Sequence, residues 1–242
     1  MSLVPAGRIR FVVLQDFHHR DERCDPWMEA LFRQVAQTAG ADFCFCLGDL
    51  ADAGKRESLE TMARLAKSSG LPLYFTPGNH DLDLSPVDGW FEAVFPGRRN
   101  YTFTIKGWQF VVIDTTEGAK YEEVMIARDT LNWLDETIPG LDHDAPTVVA
   151  THFPLASEVE FCPRNAQQVL DRLTGLNVRT IFSGHYHGRT SHWRGTIELV
   201  TNVCVSRVRK NHDDSPTKGY WVVDGTPAGQ LTRTFVPFAG TA

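Results

Sequence analysis

Cysteine is scarce in this sequence, and its placement excludes a disulfide framework. Five cysteines occur among 242 residues, an odd number scattered along the chain. Cys44 and Cys46 alternate within an apolar segment, which predicts small buried side chains rather than a thiolate metal site. The interpretation that follows is a cytoplasmic protein in a reducing compartment.

Long hydrophobic runs and an excess of basic residues are also missing. No apolar run approaches the roughly 20 residues of a membrane span. The N-terminal Met1-Ser2-Leu3-Val4-Pro5 lacks the core of a signal peptide, so we expect neither feature. Lysine and arginine number 24 against 30 aspartates and glutamates, which gives a net charge of −6. That balance makes nucleic acid an unexpected partner, although a local basic cleft stays open.

The first part of the chain alternates short apolar runs with amphipathic segments. Buried strands are predicted at 8–15, 42–47 and 73–75, and helices at 25–39 and 55–68. Asp25 is predicted to cap the first helix, with Pro26 as its first helical residue. Strands that alternate with helices favour a parallel sheet with crossover connections, so the predicted fold class is α/β.

The pattern changes after residue 100. Segments 101–105 and 108–113 flank Lys106-Gly107 and predict an antiparallel hairpin. Further strands are predicted at 147–150 and 178–182, and further helices at 126–136 and from Pro163 to Gly175. Three segments beyond residue 190 are interpreted as antiparallel strands: 196–200, 220–223 and 231–236. Since no repeat, low-complexity tract or linker interrupts the sequence, we expect one domain over 1–242, with core motifs in 10–190 and antiparallel strands in 190–238.

Polar clusters follow five of the predicted strands. They are Asp16 with His18, Asp49, Asn79 with His80, His152, and His185 with His187. Taken singly, each could be a turn residue, a buried histidine or part of a surface loop. Taken together at successive strand ends, where α/β sheets bind ligands, they offer the oxygen and nitrogen donors suited to Zn, Fe or Mn. Side chains two residues apart, such as His185 and His187, leave the same side of an extended chain, so each could bind one ion of a pair.

The ordered set resembles the motifs of the calcineurin-like metallophosphoesterases. The matching segments are Asp16-Phe17-His18, Gly48-Asp49-Leu50-Ala51-Asp52, Gly78-Asn79-His80-Asp81, His152-Phe153-Pro154 and Gly184-His185-Tyr186-His187. The match spans about residues 10–190 and fills every metal-binding position of the pattern. The resemblance implies a four-layer αββα sandwich, with two mixed β-sheets flanked by helices and two metal ions at the strand ends.

The resemblance also implies a role for individual residues. Asp16, His18 and His187 would hold one ion, and Asn79, His152 and His185 the other. Asp49 would bridge the ions, which would be Mn, Fe or Zn, and His80 would be the catalytic histidine. Four residues are candidates for supporting the ligands or contacting substrate: Asp52, Asp81, Asp114 and Tyr186. Of these, Asp114 is expected to orient a ligand histidine and Tyr186 to line the cleft.

The expected activity is metal-dependent hydrolysis of a small-molecule phosphodiester, with a cyclic nucleotide as one candidate. A hydroxide that bridges the two ions would attack phosphorus, while His80 stabilises charge or protonates the leaving group. Protein Ser/Thr phosphatases of this superfamily carry Arg and Glu where this chain has Ala53 and Asp81, a departure that disfavours that branch. The alternatives are a phosphomonoesterase and a catalytically silent metal-binding scaffold.

Substrate choice is expected to lie in loops without readable motifs, 83–97 and 117–123. Arg209 and Lys210 could supply phosphate contacts, but charged runs are usually solvated, so these two residues and His212 are interpreted as surface residues. The oligomeric state and the natural substrate stay open at this stage.

Overall fold

A computed structural model describes residues 6–82 and 89–240 of the chain. The N-terminal pentapeptide, for which no signal-peptide core was expected, lies outside the described residues. So do residues 83–88, the first part of one loop that was expected to select substrate.

The secondary structure of the described residues alternates as expected through the first half of the chain. The strands are β1 (Ile9–Leu14), β2 (Phe43–Leu47), β3 (Leu73–Thr76), β4 (Tyr101–Ile105), β5 (Trp108–Val112), β6 (Thr147–Thr151), β7 (Val178–Ser183), β8 (Thr190–Arg194), β9 (Ile197–Thr201), β10 (Lys218–Gly225) and β11 (Leu231–Phe238). The α-helices are α1 (Asp25–Ala36), α2 (Arg56–Lys67), α3 (Gly89–Val94), α4 (Arg128–Thr137) and α5 (Ala166–Leu173).

Both β-sheets are mixed. The first has the strand order β11-β10-β1-β2-β3, in which β1, β2 and β3 run parallel and β10 pairs antiparallel with β1. The second has the order β4-β5-β6-β7-β9-β8, with parallel pairing from β5 through β9 and antiparallel pairs at its edges. Parallel strands point their carboxyl ends to one side, so the residues that follow them gather at one end of the molecule.

The two sheets pack face to face, and helices cover their outer faces. Aromatic side chains fill the space between the sheets, where the rings of Phe11 and Phe43 stack with centroids 4.9 Å apart. Helices α1, α2 and α3 bury their apolar faces on the first sheet, and α4 and α5 bury theirs on the second. The order of layers is therefore helix, sheet, sheet, helix, which confirms the predicted four-layer αββα sandwich.

The start and end of α1 differ from the prediction. Asp25 is the first helical residue rather than the cap, because a 3₁₀ turn at Glu22–Cys24, capped by the Asp21 side chain, leads directly into the helix. The Asp25 carboxylate instead lies 2.8 Å from Nε2 of the buried His19. The helix ends at Ala36, three residues before the predicted end.

The strands beyond residue 190 were only partly predicted. β9 pairs parallel with β7, so the expectation of purely antiparallel strands was wrong there. The intervening β8 was missed because its sequence Thr-Ser-His-Trp-Arg is an exposed edge strand without an apolar run. β10 and β11 are antiparallel, as expected, but they belong to the first sheet. There β10 pairs with the edge of β1 that faces away from β2.

The structure bears on two features that are scarce in the sequence, the cysteines and the long apolar runs. All five cysteines are free, and Cys44 and Cys46 are buried as predicted. Within the described ranges, no helix is both long enough and apolar enough to cross a bilayer.

Candidate metal centre

A cavity of about 690 Å³ opens where the strands of both sheets end. Its lining includes side chains from the first three polar motifs and from the last one, among them His18, Asp49, Asn79, His80 and His185. The cavity is within the size range of small-molecule sites, about 300–1,000 Å³.

The first sheet supplies three of the seven predicted ligands directly from strand ends. Asp16 lies two residues beyond β1, Asp49 two beyond β2, and Asn79 three beyond β3. His18 follows Asp16 on the same loop. All four are almost fully buried, with 0% exposure for Asp16 and 1% for Asp49.

The second sheet supplies the remaining three. His152 follows β6 directly, and His185 and His187 lie on the loop after β7. His152 is fully buried and His185 is 8% exposed. The structure thus gathers all seven predicted ligands, from both sheets, at one end of the sandwich.

Five of these residues adopt the left-handed backbone conformation that favours glycine. The φ angles are 58° at Asp16, 49° at His18, 49° at Asp49, 66° at His185 and 48° at His187. Asp and His tolerate this region better than branched residues do, yet each such position has an energetic cost. Residues with a strained backbone conformation cluster at functional sites. Here the sharp turns direct neighbouring side chains toward one point.

Glycines allow the loops to approach one another closely. A Cβ atom at Gly78 would lie 2.1 Å from Oδ1 of Asp49, and one at Gly48 would lie 2.6 Å from Nδ1 of His152. Neither position can accept another residue without moving a candidate ligand.

The side chains form two groups that share one carboxylate. In the first group, one ligand atom from each of Asp16, His18, Asp49 and His187 lies within 4.8 Å of the others. The second group contains Asp49, His152 and His185 by the same criterion, and Asn79 Oδ1 lies 3.3 Å from His152 Nε2. Asp49 reaches both, since Oδ2 is 3.3 Å from His18 Nε2 and Oδ1 is 3.3 Å from His152 Nε2.

Backbone carbonyl groups fix which nitrogen of three histidines carries a proton. The Nδ1 atom of His152 donates to the Leu47 carbonyl at 2.9 Å, and that of His187 donates to the Lys210 carbonyl at 3.1 Å. His185 uses its other nitrogen, Nε2, which donates to the Tyr121 carbonyl at 2.8 Å. A carbonyl can only accept, so the remaining nitrogen of each ring keeps its lone pair free for a cation.

The donor set fits metal ions on two further observations. Nε2 of His187, which carries no proton, lies only 3.2 Å from Nε2 of His18. In addition, Oδ2 of the fully buried Asp16 has no hydrogen-bond partner among the described residues. Buried carboxylate oxygens and imidazole nitrogens that converge in this way suit ligands around a cation, and carboxylate with imidazole is a set that Zn, Fe and Mn accept.

The pKa shifts of the candidate ligands, in the protein without cations, also indicate a site that requires positive charge. Burial, and then the neighbouring Asp49, raise the pKa of Asp16 well above its usual range. Burial, followed by repulsion from His152, lowers the pKa of His185 to about 3, so this ring is neutral at physiological pH. The centre therefore combines neutral imidazoles with crowded carboxylates, whose mutual repulsion bound cations would remove.

His80 lies beside the two groups and lines the cavity. Its backbone N–H donates to Asp49 Oδ1 at 3.0 Å, and its Nδ1 donates to the Asp52 carbonyl at 2.8 Å. The free nitrogen of the ring is thus Nε2. With Nδ1 bound to the Asp52 carbonyl, Nε2 is the ring nitrogen of His80 that is left for a molecule in the cavity.

Asp52 and Asp81 support the loops that carry the ligands. The Asp52 carboxylate lies 3.4 Å from His18 Nδ1 and also accepts hydrogen bonds from Arg20 and Arg209, at 2.7 and 2.8 Å. Asp81 accepts from the backbone N–H groups of Ala51 and Gly78, at 2.8 and 2.9 Å. Asp81 therefore joins the loop after β2 to the loop after β3.

The other two predicted supporting residues lie elsewhere. The Asp114 carboxylate accepts from Arg99 at 2.8 Å and from Thr116, so its described partners do not include the ligand histidine it was expected to orient. The carboxylate that does lie beside a ligand histidine is that of Asp52, which faces His18. Tyr186 packs at the edge of the apolar cluster beneath α4 and α5 and is not among the residues that line the cavity.

The rim of the cavity contains residues that were not predicted to belong to it. Ala119, Tyr121, Phe161, Arg209, Lys210 and His212 line it, together with Asn211 and Asp214. Loop 117–123 was expected to matter and does reach the cavity, whereas residues 89–97 of the other expected loop do not. His212 is exposed, as expected, but at the cavity mouth. No local motif distinguishes these residues, because they converge only in the folded chain.

A partly buried network holds the rim loop that contains Arg209 and Lys210. The Lys218 ammonium donates to the Arg209 carbonyl at 2.7 Å and contacts the Cys204 sulfur at 2.8 Å. The Cys204 backbone N–H donates to Asn211 Oδ1 at 3.1 Å. This network fixes the Lys210 carbonyl that in turn orients His187.

Comparisons with known proteins agree with this arrangement. The sequence model of the calcineurin-like phosphoesterase family matches residues 9–189. A 3′,5′-cyclic-nucleotide phosphodiesterase of Nostoc sp. is 29% identical over 154 residues, which is 60% of this chain and 56% of that protein. The serine/threonine-protein phosphatase CPPED1 of Rattus norvegicus is 24% identical over 185 residues, 67% of this chain and 58% of that protein.

The chain spans a little over half the length of these curated relatives. Among solved structures, the purple acid phosphatase PPD1 from yellow lupin seeds has a TM-score of 0.68 at 11% identity and covers 98% of this chain and 53% of its own. At that identity the likeness concerns the fold.

Proposed function

The chain belongs to the calcineurin-like phosphoesterase family, and on that premise we propose that it is a metal-dependent hydrolase of phosphate esters. The observation that carries the proposal is the pair of ligand groups that share Asp49. The whole stretch 1–242 is proposed to act as one phosphoesterase domain, with its core motifs in 10–190.

In this proposal Asp16, His18 and His187 would hold one cation, Asn79, His152 and His185 would hold the second, and Asp49 would serve both. Two bound ions would supply Lewis-acid charge for the phosphoryl oxygens and lower the pKa of a coordinated water to roughly 7. Mn, Fe and Zn all suit the donors, because no cysteine is included. The ligand atoms of each group already lie close together and are held by backbone carbonyls, so the protein needs little reorganisation to bind the ions.

His80 is proposed to act on the leaving group. Its Nδ1 proton is committed to the Asp52 carbonyl, so only Nε2 can exchange a proton with a molecule in the cavity. In its protonated form Nε2–H donates a hydrogen bond to the departing oxygen and then transfers that proton to it. The Asp52 carbonyl keeps the ring oriented through both states.

The preferred substrate is proposed to be a small-molecule phosphodiester, for which a cyclic nucleotide is one candidate. The similarity to a cyclic-nucleotide phosphodiesterase and the Gly78-Asn79-His80-Asp81 sequence support this choice. The similarity to a protein named as a phosphatase favours a phosphomonoester as the second candidate. Ala53 and Asp81 separate this chain from the protein Ser/Thr phosphatase pattern described above.

The test is hydrolysis of bis-p-nitrophenyl phosphate and of p-nitrophenyl phosphate by the Mn-loaded protein, with metal content measured on the same sample. We expect the diester to give the larger kcat/KM. A larger value for the monoester would replace the diesterase with the phosphomonoesterase. If neither compound is hydrolysed although two ions are bound, the chain is instead a metal-binding scaffold.

A further inference from the structure

Three ring-bearing side chains, from three separate loops, line the cavity. Tyr121 lies on the loop after β5, Phe161 on the loop after β6, and His212 on the loop between β9 and β10. We refer to these three residues as the aromatic wall. We propose that the aromatic wall, and Phe161 in particular, selects phosphoesters whose organic group carries a flat aromatic ring, the class to which nucleotides belong. This inference rests on the proposed function and adds a specificity-determining residue to it.

Phe161 links the aromatic wall to the candidate metal ligands. Its ring meets the His185 ring edge-on with centroids 5.0 Å apart, and it meets the His212 ring in the same way at 5.5 Å. The His212 ring is in turn 5.2 Å from that of His187. The wall therefore begins at the floor of the cavity, within the reach of a group attached to a phosphate bound there.

The backbone of Phe161 is held in a conformation that such a residue rarely adopts. Its φ angle is 67°, in the left-handed region, which is a genuine outlier for a bulky side chain. Glycine at this position would avoid the energetic cost of the conformation, but it would not supply the phenyl ring that lines the cavity. Strained residues of this kind cluster at ligand sites, which is why the observation points to binding.

The aromatic wall is also available to a ligand. Phe161 is only half-buried, and Tyr121 is 57% exposed although it is one of the large apolar side chains. The role of Tyr121 toward the metal centre is carried by its backbone carbonyl, which accepts from His185. Its ring is therefore free to contact substrate. Aromatic rings bind other flat rings by stacking, a contact that aliphatic groups of the same size make less well.

The lining of the cavity also contains two basic side chains. They are Arg209 and Lys210, and Arg209 is anchored on Asp52. A ligand with a phosphate at the floor and a ring against the aromatic wall would thus meet cations at its anionic end and rings at its apolar end. An alkyl phosphate would leave the wall without a partner.

The experiment measures binding rather than turnover. Phenylphosphonate, methylphosphonate and cyclohexylphosphonate have carbon–phosphorus bonds that an esterase does not hydrolyse, so their dissociation constants can be measured calorimetrically on the Mn-loaded protein. We expect phenylphosphonate to bind about tenfold more tightly than methylphosphonate. Cyclohexylphosphonate, similar in size but not flat, is expected to bind more weakly than phenylphosphonate.

Variants of Phe161 give the decisive comparison. Phe161→Ala should reduce the preference for phenylphosphonate to less than about twofold while methylphosphonate still binds, because stacking is lost and the phosphate site is not. Phe161→Leu keeps the bulk of the side chain and should abolish the distinction between the phenyl and cyclohexyl compounds. Trp193→Ala is the matched control, since Trp193 is 60% exposed on β8 and does not line the cavity.

The outcomes separate this inference from the proposed function. The role of Phe161 is overturned if the wild type shows no preference for phenylphosphonate, or if that preference is unchanged in Phe161→Ala and Phe161→Leu. Either result leaves the proposed hydrolase activity intact. Failure of all three phosphonates to bind overturns both. A ring preference without hydrolysis of any ester keeps the role of Phe161 and removes the activity.

Discussion

The floor and the rim of the cavity are built in different ways. The floor consists of the seven candidate ligands, buried side chains at strand ends, and several of their rings are tied to backbone carbonyls. The rim consists of residues 119, 121, 161, 209–212 and 214 on connecting loops. His185 on the floor is 8% exposed, whereas Tyr121 on the rim is 57% exposed.

The difference separates two tasks. On the floor, displacement of one group would disturb several others, because Asp49 is shared and the glycines beside it leave no space. On the rim, a side chain can change without moving a ligand, provided that its backbone stays in place. We therefore expect the floor to determine whether chemistry occurs and the rim to determine which molecule is accepted.

The largest effect is expected from Asp49→Ala, which removes the carboxylate that both ligand groups share. Loss of several kcal/mol of charge stabilisation corresponds to a fall in kcat/KM of about a thousandfold or more. Metal content should fall from two ions to one or none. Asp224→Asn, in a surface pair with Arg10, is the control. Two retained ions with near-normal activity would remove Asp49 from the centre.

His80→Gln is expected to lower kcat by about a hundredfold to a thousandfold, because it removes the proposed acid while both ions stay bound. The loss should be smaller for bis-p-nitrophenyl phosphate, whose p-nitrophenolate departs without a proton, than for an alkyl diester. Steady-state kinetics on the two esters, with metal analysis, make the measurement. An equal loss on both esters would assign His80 to charge stabilisation rather than to proton transfer.

Asp52→Asn tests the boundary between floor and rim, since Asp52 faces His18 on one side and Arg209 on the other. Losing the carboxylate charge beside a ligand histidine should weaken metal affinity by about tenfold to a hundredfold. The backbone carbonyl that holds His80 is unchanged by this substitution. Competition with a chelator gives the affinity, and an unaltered affinity would show that Asp52 serves the rim alone.

The floor should also make the metal-free protein sensitive to pH. Burial, and then Asp49, raise the pKa of Asp81 to about 8 in the folded protein, although two backbone amides favour its ionised form. The folded protein then keeps a proton that the unfolded chain releases near pH 4, so the contribution to stability is lost as the pH rises through about 8.

The free energy of unfolding, measured with urea in the presence of EDTA, should fall by about 2 kcal/mol between pH 6 and pH 8. Added Mn should reduce this fall by offsetting the charge of Asp49. Asp81→Asn should reduce it too, and serves as the matched variant. A free energy that is constant or rises over that interval contradicts the raised pKa.

The smallest effect is expected from Lys210→Ala on the rim. The ammonium is exposed, and the contact with His187 is made by the backbone carbonyl, which the substitution retains. KM for an anionic ester should rise less than about fivefold, and the difference should shrink at high salt. Metal content should not change. A loss of ions in this variant would extend the floor to the Lys210 side chain.

The same division explains what the sequence could predict. Asp16, Asp49 and Asn79 follow apolar strands within short motifs, so both their position and their chemistry are local properties. The sandwich followed from the alternation of strands and helices together with the family resemblance. The pairing of Asp114 with Arg99 could not be inferred from the neighbouring sequence.

Apart from loop 117–123, the rim could not be predicted because it depends on tertiary structure. Phe161 and His212 are 51 positions apart along the chain, yet their ring centroids lie 5.5 Å apart. β8 and the parallel pairing of β9 were missed for a related reason. Edge strands have weak apolar patterns, and the partner of a strand is set by how the chain returns to the sheet.

The ligands come from both sheets, and this has a mechanical consequence. His152 of the second sheet donates to the Leu47 carbonyl of the first at 2.9 Å, and the His185 backbone N–H donates to Asp16 Oδ1 at 2.9 Å. At this end the sandwich is fastened by polar bonds and, in the proposed holoprotein, by ions, whereas its middle is held by stacked rings. Chelation would thus weaken the contacts between the two sheets at this end of the sandwich. Amide hydrogens there should exchange faster, while those of the aromatic core should stay protected.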